Sequence, residues 1–92
     1  MARPHNSPDV FRAVAHPARR RMLDMLLKGP RTAAELAQSL RISRPTASEH
    51  IKALRVAGLI DFRPRGATHV YTLVRSRFKP IDDWLRPYQR SS

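Results

Sequence analysis

The 92-residue chain is 41% hydrophobic, enough for one compact domain (residues 1–92) whose small core would gain from burial against a second copy. With 18 Lys+Arg against 7 Asp+Glu the formal net charge is +11, which favours a polyanionic partner, nucleic acid ahead of an anionic membrane surface. The absence of cysteine excludes disulfides, zinc–thiolate sites and thiol switches, and no stretch approaches the roughly 20 apolar residues of a membrane span.

Residues 1–6 are polar and expected to fray, as are the last three. They hold no apolar run of the kind that opens a signal peptide, so a cytoplasmic protein is expected. Ser7, Pro8 and Asp9 read as a helix start, with Val10, Phe11 and Val14 on one face of a short helix reaching Ala15. His16-Pro17 restarts the chain into a second helix, where Met22, Leu23, Leu26 and Leu27 recur at helical spacing until Gly29-Pro30 stops it. Arg19, Arg20 and Arg21 crowd its first turn, and Asp24 or a phosphate is the expected counter-charge. Thr32-x-x-Glu35 is a capping box opening a third helix, 33–40. Ser43 caps a fourth that runs to about Ala57 and ends at Gly58. Two apolar-alternating runs, 59–63 and 68–74, joined through Pro64-Arg65-Gly66-Ala67, predict a β-hairpin. A last amphipathic helix carries Phe78, Ile81, Trp84, Leu85 and Tyr88.

The expected fold is therefore mainly α with a small β-hairpin, in the order α-α-α-α-β-β-α. Two helices joined by a short turn, the second opening on small polar residues and followed by a basic-tipped hairpin, outline a winged helix-turn-helix. At about 100° per residue, Ala47, His50, Ile51, Leu54 and Gly58 share one side of the fourth helix and should face the core. Arg44, Pro45, Thr46, Ser48, Glu49, Lys52 and Arg55 are left for a partner. Arg44 suits bidentate pairing with guanine, Ser48 a base edge or phosphate, Glu49 a cytosine amino group, and Lys52 and Arg55 the backbone. Arg63 and Arg65 flank the hairpin tip, where an arginine can enter the minor groove or hold phosphate. His69, beside them, suits a phosphate contact or no role. A solvated polar face is the bland alternative for a lone helix. Against it, Arg41, Arg44, Lys52, Arg55, Arg63, Arg65, Arg75 and Arg77 stand opposite Glu49 and Asp61 alone, so charge gathers where such a fold meets double-stranded DNA.

The run from Ser43 to Ile60, SRPTASEHIKALRVAGLI, resembles the recognition-helix signature of ArsR-type bacterial repressors. So do His16-Pro17-Ala18-Arg19-Arg20, the capping segment 32–36 and Val70-Tyr71-x-Leu73; the resemblance spans roughly residues 8–88. It implies a homodimer built on the first and last helices, one recognition helix in each major-groove half-site, and repression released by an inducer or by changing protein level. Thr32 joins the DNA-facing set on this ground. Many members of the family sense metals through cysteines or Asp/His pairs. Here there is no cysteine and no histidine after His69, and adjacent Asp82 and Asp83 suit a helix's positive end better. No metal site or cofactor is therefore expected, and the C-terminal segment is more similar to the metal-free, autorepressor-like branch. No residue set points to a particular inducer.

Phe11, Phe78, Trp84 and Tyr88 read as a packing face rather than a ligand cage and, with Ile81 and Leu85, as the dimer interface. No phosphate loop, nucleophile elbow or paired acids at catalytic spacing is present, so no enzymatic activity is expected. The competing reading is a winged-helix interaction module that binds protein or RNA through the same basic face.

Overall fold

The computed structural model describes residues 9–90, with the side chain of Arg90 left out; the Ser7 cap and the fraying of residues 1–6 fall outside this range. Asp9 caps a single helical turn, α1 (Val10–Ala13), its carboxylate accepting from the Arg12 amide at 3.1 Å. The turn ends short of Ala15, whose amide reaches back only three residues, to Arg12 O at 3.2 Å. Arg20 donates to Val14 O at 2.9 Å and to Ala15 O at 3.0 Å. That contact, not Asp24, relieves Arg20. Helix α2 (Pro17–Lys28) starts on His16, whose Nδ1 accepts from the Ala18 amide at 3.2 Å. It buries Met22 and Leu26, half-buries Leu23 and leaves Leu27 exposed, so the apolar stripe is narrower than its spacing suggests.

The capping box closes as expected: Thr32 Oγ1 accepts from the Glu35 amide at 3.1 Å while Glu35 Oε1 accepts from the Thr32 amide at 2.8 Å, opening α3 (Ala33–Leu40). Arg41, at φ 58°, turns the chain in the left-handed region, and its amide donates back to α3. Helix α4 (Arg44–Val56) follows from the Ser43 cap, Ser43 Oγ accepting from the Thr46 amide at 3.1 Å. Its other end is a Schellman closure. The Leu59 amide reaches Leu54 O at 3.0 Å, the Gly58 amide reaches Arg55 O at 2.9 Å, and Gly58 supplies φ 82° between them. Leu54 and Leu59 are fully buried, completing the motif's apolar contact.

Strands β2 (Ile60–Arg65) and β3 (Thr68–Leu73) form the hairpin. Arg65 faces Thr68, so the loop is only Gly66-Ala67, and Pro64 and Arg65 belong to the strand rather than to the connection. Gly66 has φ 60° and Ala67 does not share it, the pattern of a type II′ turn. Pro64 is tolerated because β2 is an edge strand. The sequence reading lacked a third strand, β1 (Arg31–Thr32), which pairs antiparallel with β3 to give the order β1-β3-β2. A 3-10 turn, Arg75–Phe78, leads into α5 (Lys79–Arg90). The core lies between α2, α3, α4 and the sheet, centred on Met22, Leu26, Leu36, Leu40, Ala47, Ile51, Leu54, Leu59, Ile60 and Tyr71.

A Cβ on Gly58 would require the left-handed conformation of an L-residue and would meet the Arg77 guanidinium at 3.1 Å. Gly58→Ala is therefore expected to cost about 1–2 kcal/mol, read as a lower midpoint in urea denaturation.

Candidate nucleic-acid interface

The inner side of α4 buries Ala47, Ile51 and Leu54 completely or nearly so, whereas Arg44, Pro45, Thr46, Ser48, Glu49, Lys52 and Arg55 are all exposed. The division follows the helical period, with one exception. His50, assigned to the core side, is half-buried and accepts a hydrogen bond from Arg19 of α2. Thirteen residues make the helix about 20 Å long, matching the reach of an element lying in the major groove.

Two clefts connect α4 and α3 to the hairpin. Ala33, Arg44, Ala67, Thr68, His69 and Tyr71 line the first, which brings the opening turn of α4 beside the hairpin tip. The second, about 530 Å³, lies between the outer face of the hairpin and the start of α3, with Thr32, Glu35, Arg63 and Arg65 on its walls. The short β1 makes this arrangement possible, because pairing Thr32 with Val70 holds the start of α3 against the sheet. Thr32 itself is half-buried, its hydroxyl oxygen occupied by the cap. Arg63 and Arg65 are exposed on the outer face of β2.

Ion pairing divides the surface by function. Among the described residues the ion pairs are Arg12–Asp9, Lys79–Asp83 and Arg86 with Asp82 and Asp83, all on α1 or α5. None engages Arg44, Lys52, Arg55, Arg63 or Arg65, so five cations on one side stay uncompensated and open to phosphate. Asp82 and Asp83 thus pair along α5 with Lys79 and Arg86. Among the described residues no group of three or more His, Asp or Glu could hold a metal ion.

Arg55 lies with its guanidinium carbon 4.5 Å from the centroid of Phe62, and His69 stacks on that ring at 4.1 Å and 17°. The sequence hid this contact, since Arg55 and Phe62 lie on either side of the Gly58 turn and share no period. It joins α4 to the hairpin through one ring.

Away from this face, Phe11, Trp84, Leu85 and Tyr88 are exposed at 43%, 55%, 36% and 64%. Phe11 meets Trp84 edge-on at 6.0 Å and Trp84 meets Tyr88 at 5.2 Å. Phe78 and Ile81, expected on the same stripe, are half-buried and turned against the protein's own core.

A three-stranded antiparallel wing beside a helix-turn-helix, with unpaired cations on the exposed side of the second helix, defines a winged-helix DNA-binding domain. Residues 16–61 match the family described as bacterial regulatory protein, arsR family. The chain is 41% identical over 70 residues to the HTH-type transcriptional regulator Rv2034 of Mycobacterium tuberculosis, covering 75% of this chain and 65% of that protein. It is 32% identical over 77 residues to the transcriptional repressor SdpR of Bacillus subtilis, covering 84% and 86%. It therefore spans less than two thirds of the first relative and most of the second. The crystal structure of an ArsR family transcriptional regulator, RHA00566, superposes with a TM-score of 0.79 at 31% identity, covering 97% of this chain and 93% of that one. The chain belongs to the ArsR family of DNA-binding transcriptional regulators.

If Phe62 is the joint between α4 and the wing, Phe62→Leu should raise amide hydrogen exchange at Arg63 and His69 several-fold and leave α2 and α3 amides unchanged. Mass-resolved exchange of the two proteins checks this.

Proposed function

We propose that the chain represses transcription as a homodimer that binds an inverted-repeat operator, with one α4 in the major groove of each half-site and the wing on the flanking backbone. The observation that carries this reading is the shared cleft of Arg44 with Ala67, Thr68 and His69, on a face whose arginines have no ion-pair partner among the described residues. One rigid surface then offers a base-reading arginine and a backbone-holding hairpin together. Two such surfaces, related by a twofold axis, would fit half-sites about 34 Å apart. The exposed Phe11, Trp84, Leu85 and Tyr88 supply the seam, since isologous contact buries an apolar patch against its own copy. The role is regulatory rather than enzymatic, and the protein works in the cytoplasm, where its DNA is. Among the described residues, no helix is long and apolar enough to cross a membrane.

The test begins with selection of duplexes from a random library. An inverted repeat is expected. Arg44→Ala should then relax preference at one symmetric pair of positions by about 1–3 kcal/mol. Arg65→Ala should weaken selected and random duplexes alike and reduce the salt slope by roughly one unit. Equal loss on both duplexes for Arg44→Ala would remove α4 from the groove.

The seam has its own test. Changing Trp84 and Leu85 together to Glu would place unpaired charge at the contact, and sedimentation at micromolar concentration should find a folded monomer. A persisting dimer would move the interface elsewhere.

A further inference from the structure

Helix α4 is gripped from the side opposite the wing by a small polar cluster. Arg19 Nε–H donates to His50 Nδ1 at 3.2 Å, across 31 residues of sequence. It is a side-chain hydrogen bond that reaches α4 from another element. The ring of His16 lies 4.5 Å from the ring of His50, and His16 Nδ1 in turn accepts the Ala18 amide that opens α2. A single chain of contacts therefore runs from the cap of α2 through Arg19 and His50 to the middle of the helix that faces DNA. His50 sits directly behind Glu49, and four residues along is Leu54 of the buried side, so its bond bears on how α4 is turned about its own axis.

The bond fixes the protonation state it needs. His50 Nδ1 can accept only if the ring is neutral with its proton on Nε2. A second proton would turn Nδ1 into a donor aimed at the Arg19 guanidinium and set two cations about 3 Å apart. The remaining charges near the site do not cancel this. Asp9 and Arg12 of α1, Arg19 of α2 and Glu49 and Lys52 of α4 line the adjoining cleft, and only Asp9 and Glu49 oppose the cations.

We propose that Arg19 and His16 are positioning residues for the DNA-reading helix, acting through His50, and that protonation of His50 releases α4 and lowers its sequence preference. The inference deepens the operator-binding reading and rests on it. Burial, then the neighbouring His16 and Arg19, hold His50 below the ordinary histidine value of 6.5, against a smaller pull from Glu49. Because the folded value lies below the unfolded one, the contact's stabilisation is complete above about pH 6.5 and is lost as pH falls toward the lower folded value. Acid also strengthens binding to any duplex, since every histidine gained as a cation attracts phosphate. The diagnostic quantity is therefore the ratio of selected to random duplex affinity, not affinity itself.

The experiment measures that ratio at about pH 7.5 and about pH 5.5 for the wild type, His50→Gln and Arg19→Met, with circular dichroism confirming the fold of each. Gln can accept from Arg19 but does not titrate. The wild-type ratio is expected to fall several-fold on acidification, that of His50→Gln to stay within about twofold, and that of Arg19→Met to be low at both pH values. A His50→Gln ratio that falls as far as the wild type's, or an Arg19→Met ratio that matches the wild type's throughout, overturns the proposal. Thermal melts without DNA form a separate arm: the wild type should lose more in Tm than His50→Gln between the two pH values. Equal losses overturn the switch. Wild-type protein that prefers no duplex at the higher pH would instead overturn the operator reading, with the melts still deciding the fate of His50.

Discussion

The interface depends on one geometric constraint: α4 must present most of its circumference to a partner and still be held rigidly. It meets this by burying a strip only three residues wide. Ala47, Ile51 and Leu54 are spaced four and three apart, fall within about 60° of the helical circumference, and are almost wholly removed from solvent. Such a strip supplies few contacts, so the ends carry the rest. Ser43 satisfies amides at the start, and Gly58 with Leu59 closes the carbonyls at the finish. Ala47, in the first half of α4, has no bulk, which lets α4 lie close to α3, the helix it touches most.

Electrostatics then separates the two sides. Acidic residues are few, and those of α5 are used on that helix, where Lys79 and Arg86 already compete for them. Among the described residues the α4 and wing cations have no ion-pair partner, and repulsion among them disfavours the free folded chain. A polyanion on that face removes the repulsion, so binding and folding reinforce each other. Salt acts in opposite directions on the two states. It screens repulsion in the free protein and weakens the complex by competing for phosphate.

Much of this was legible in the sequence because the signals were local. The Thr32–Glu35 box, the Ser43 cap, the Gly58 stop and the exposed face of α4 each depend on residues within a few positions of one another. What was missed is non-local or too short to have a period. Two residues, Arg31 and Thr32, cannot show strand alternation, and their role appears only when β3 lies beside them. Pro64 looked like part of a loop because proline disfavours central strands, and only the sheet order shows that its strand is an edge. Leu27 shared helical spacing with buried leucines but fell at the margin of the stripe. Phe78 and Ile81 read as one face with Trp84 and Leu85, yet Phe78 lies in the 3-10 turn before α5, outside the helical period, and Ile81, in the first turn of α5, is where that stripe meets the core. Arg20 had an acidic residue at the right spacing and chose carbonyls of the preceding turn instead.

The same contrast between local and non-local explains why His50 reads differently in one dimension and three. Apolar burial along Ala47, Ile51 and Leu54 fixes how deeply α4 sits, but it is non-directional and tolerates small rotations about the helix axis. Directional contacts on either flank resist such rotation. On one side Arg55 rests on the wing's Phe62; on the other His50 accepts from Arg19. Base readout requires a side chain such as Arg44 to meet a groove edge within hydrogen-bonding distance, and a turn of the helix by a few degrees moves that side chain's tip by a comparable fraction of an ångström. A polar group at the edge of the apolar strip, which costs some burial, thus adds a directional restraint on α4 that apolar packing does not supply.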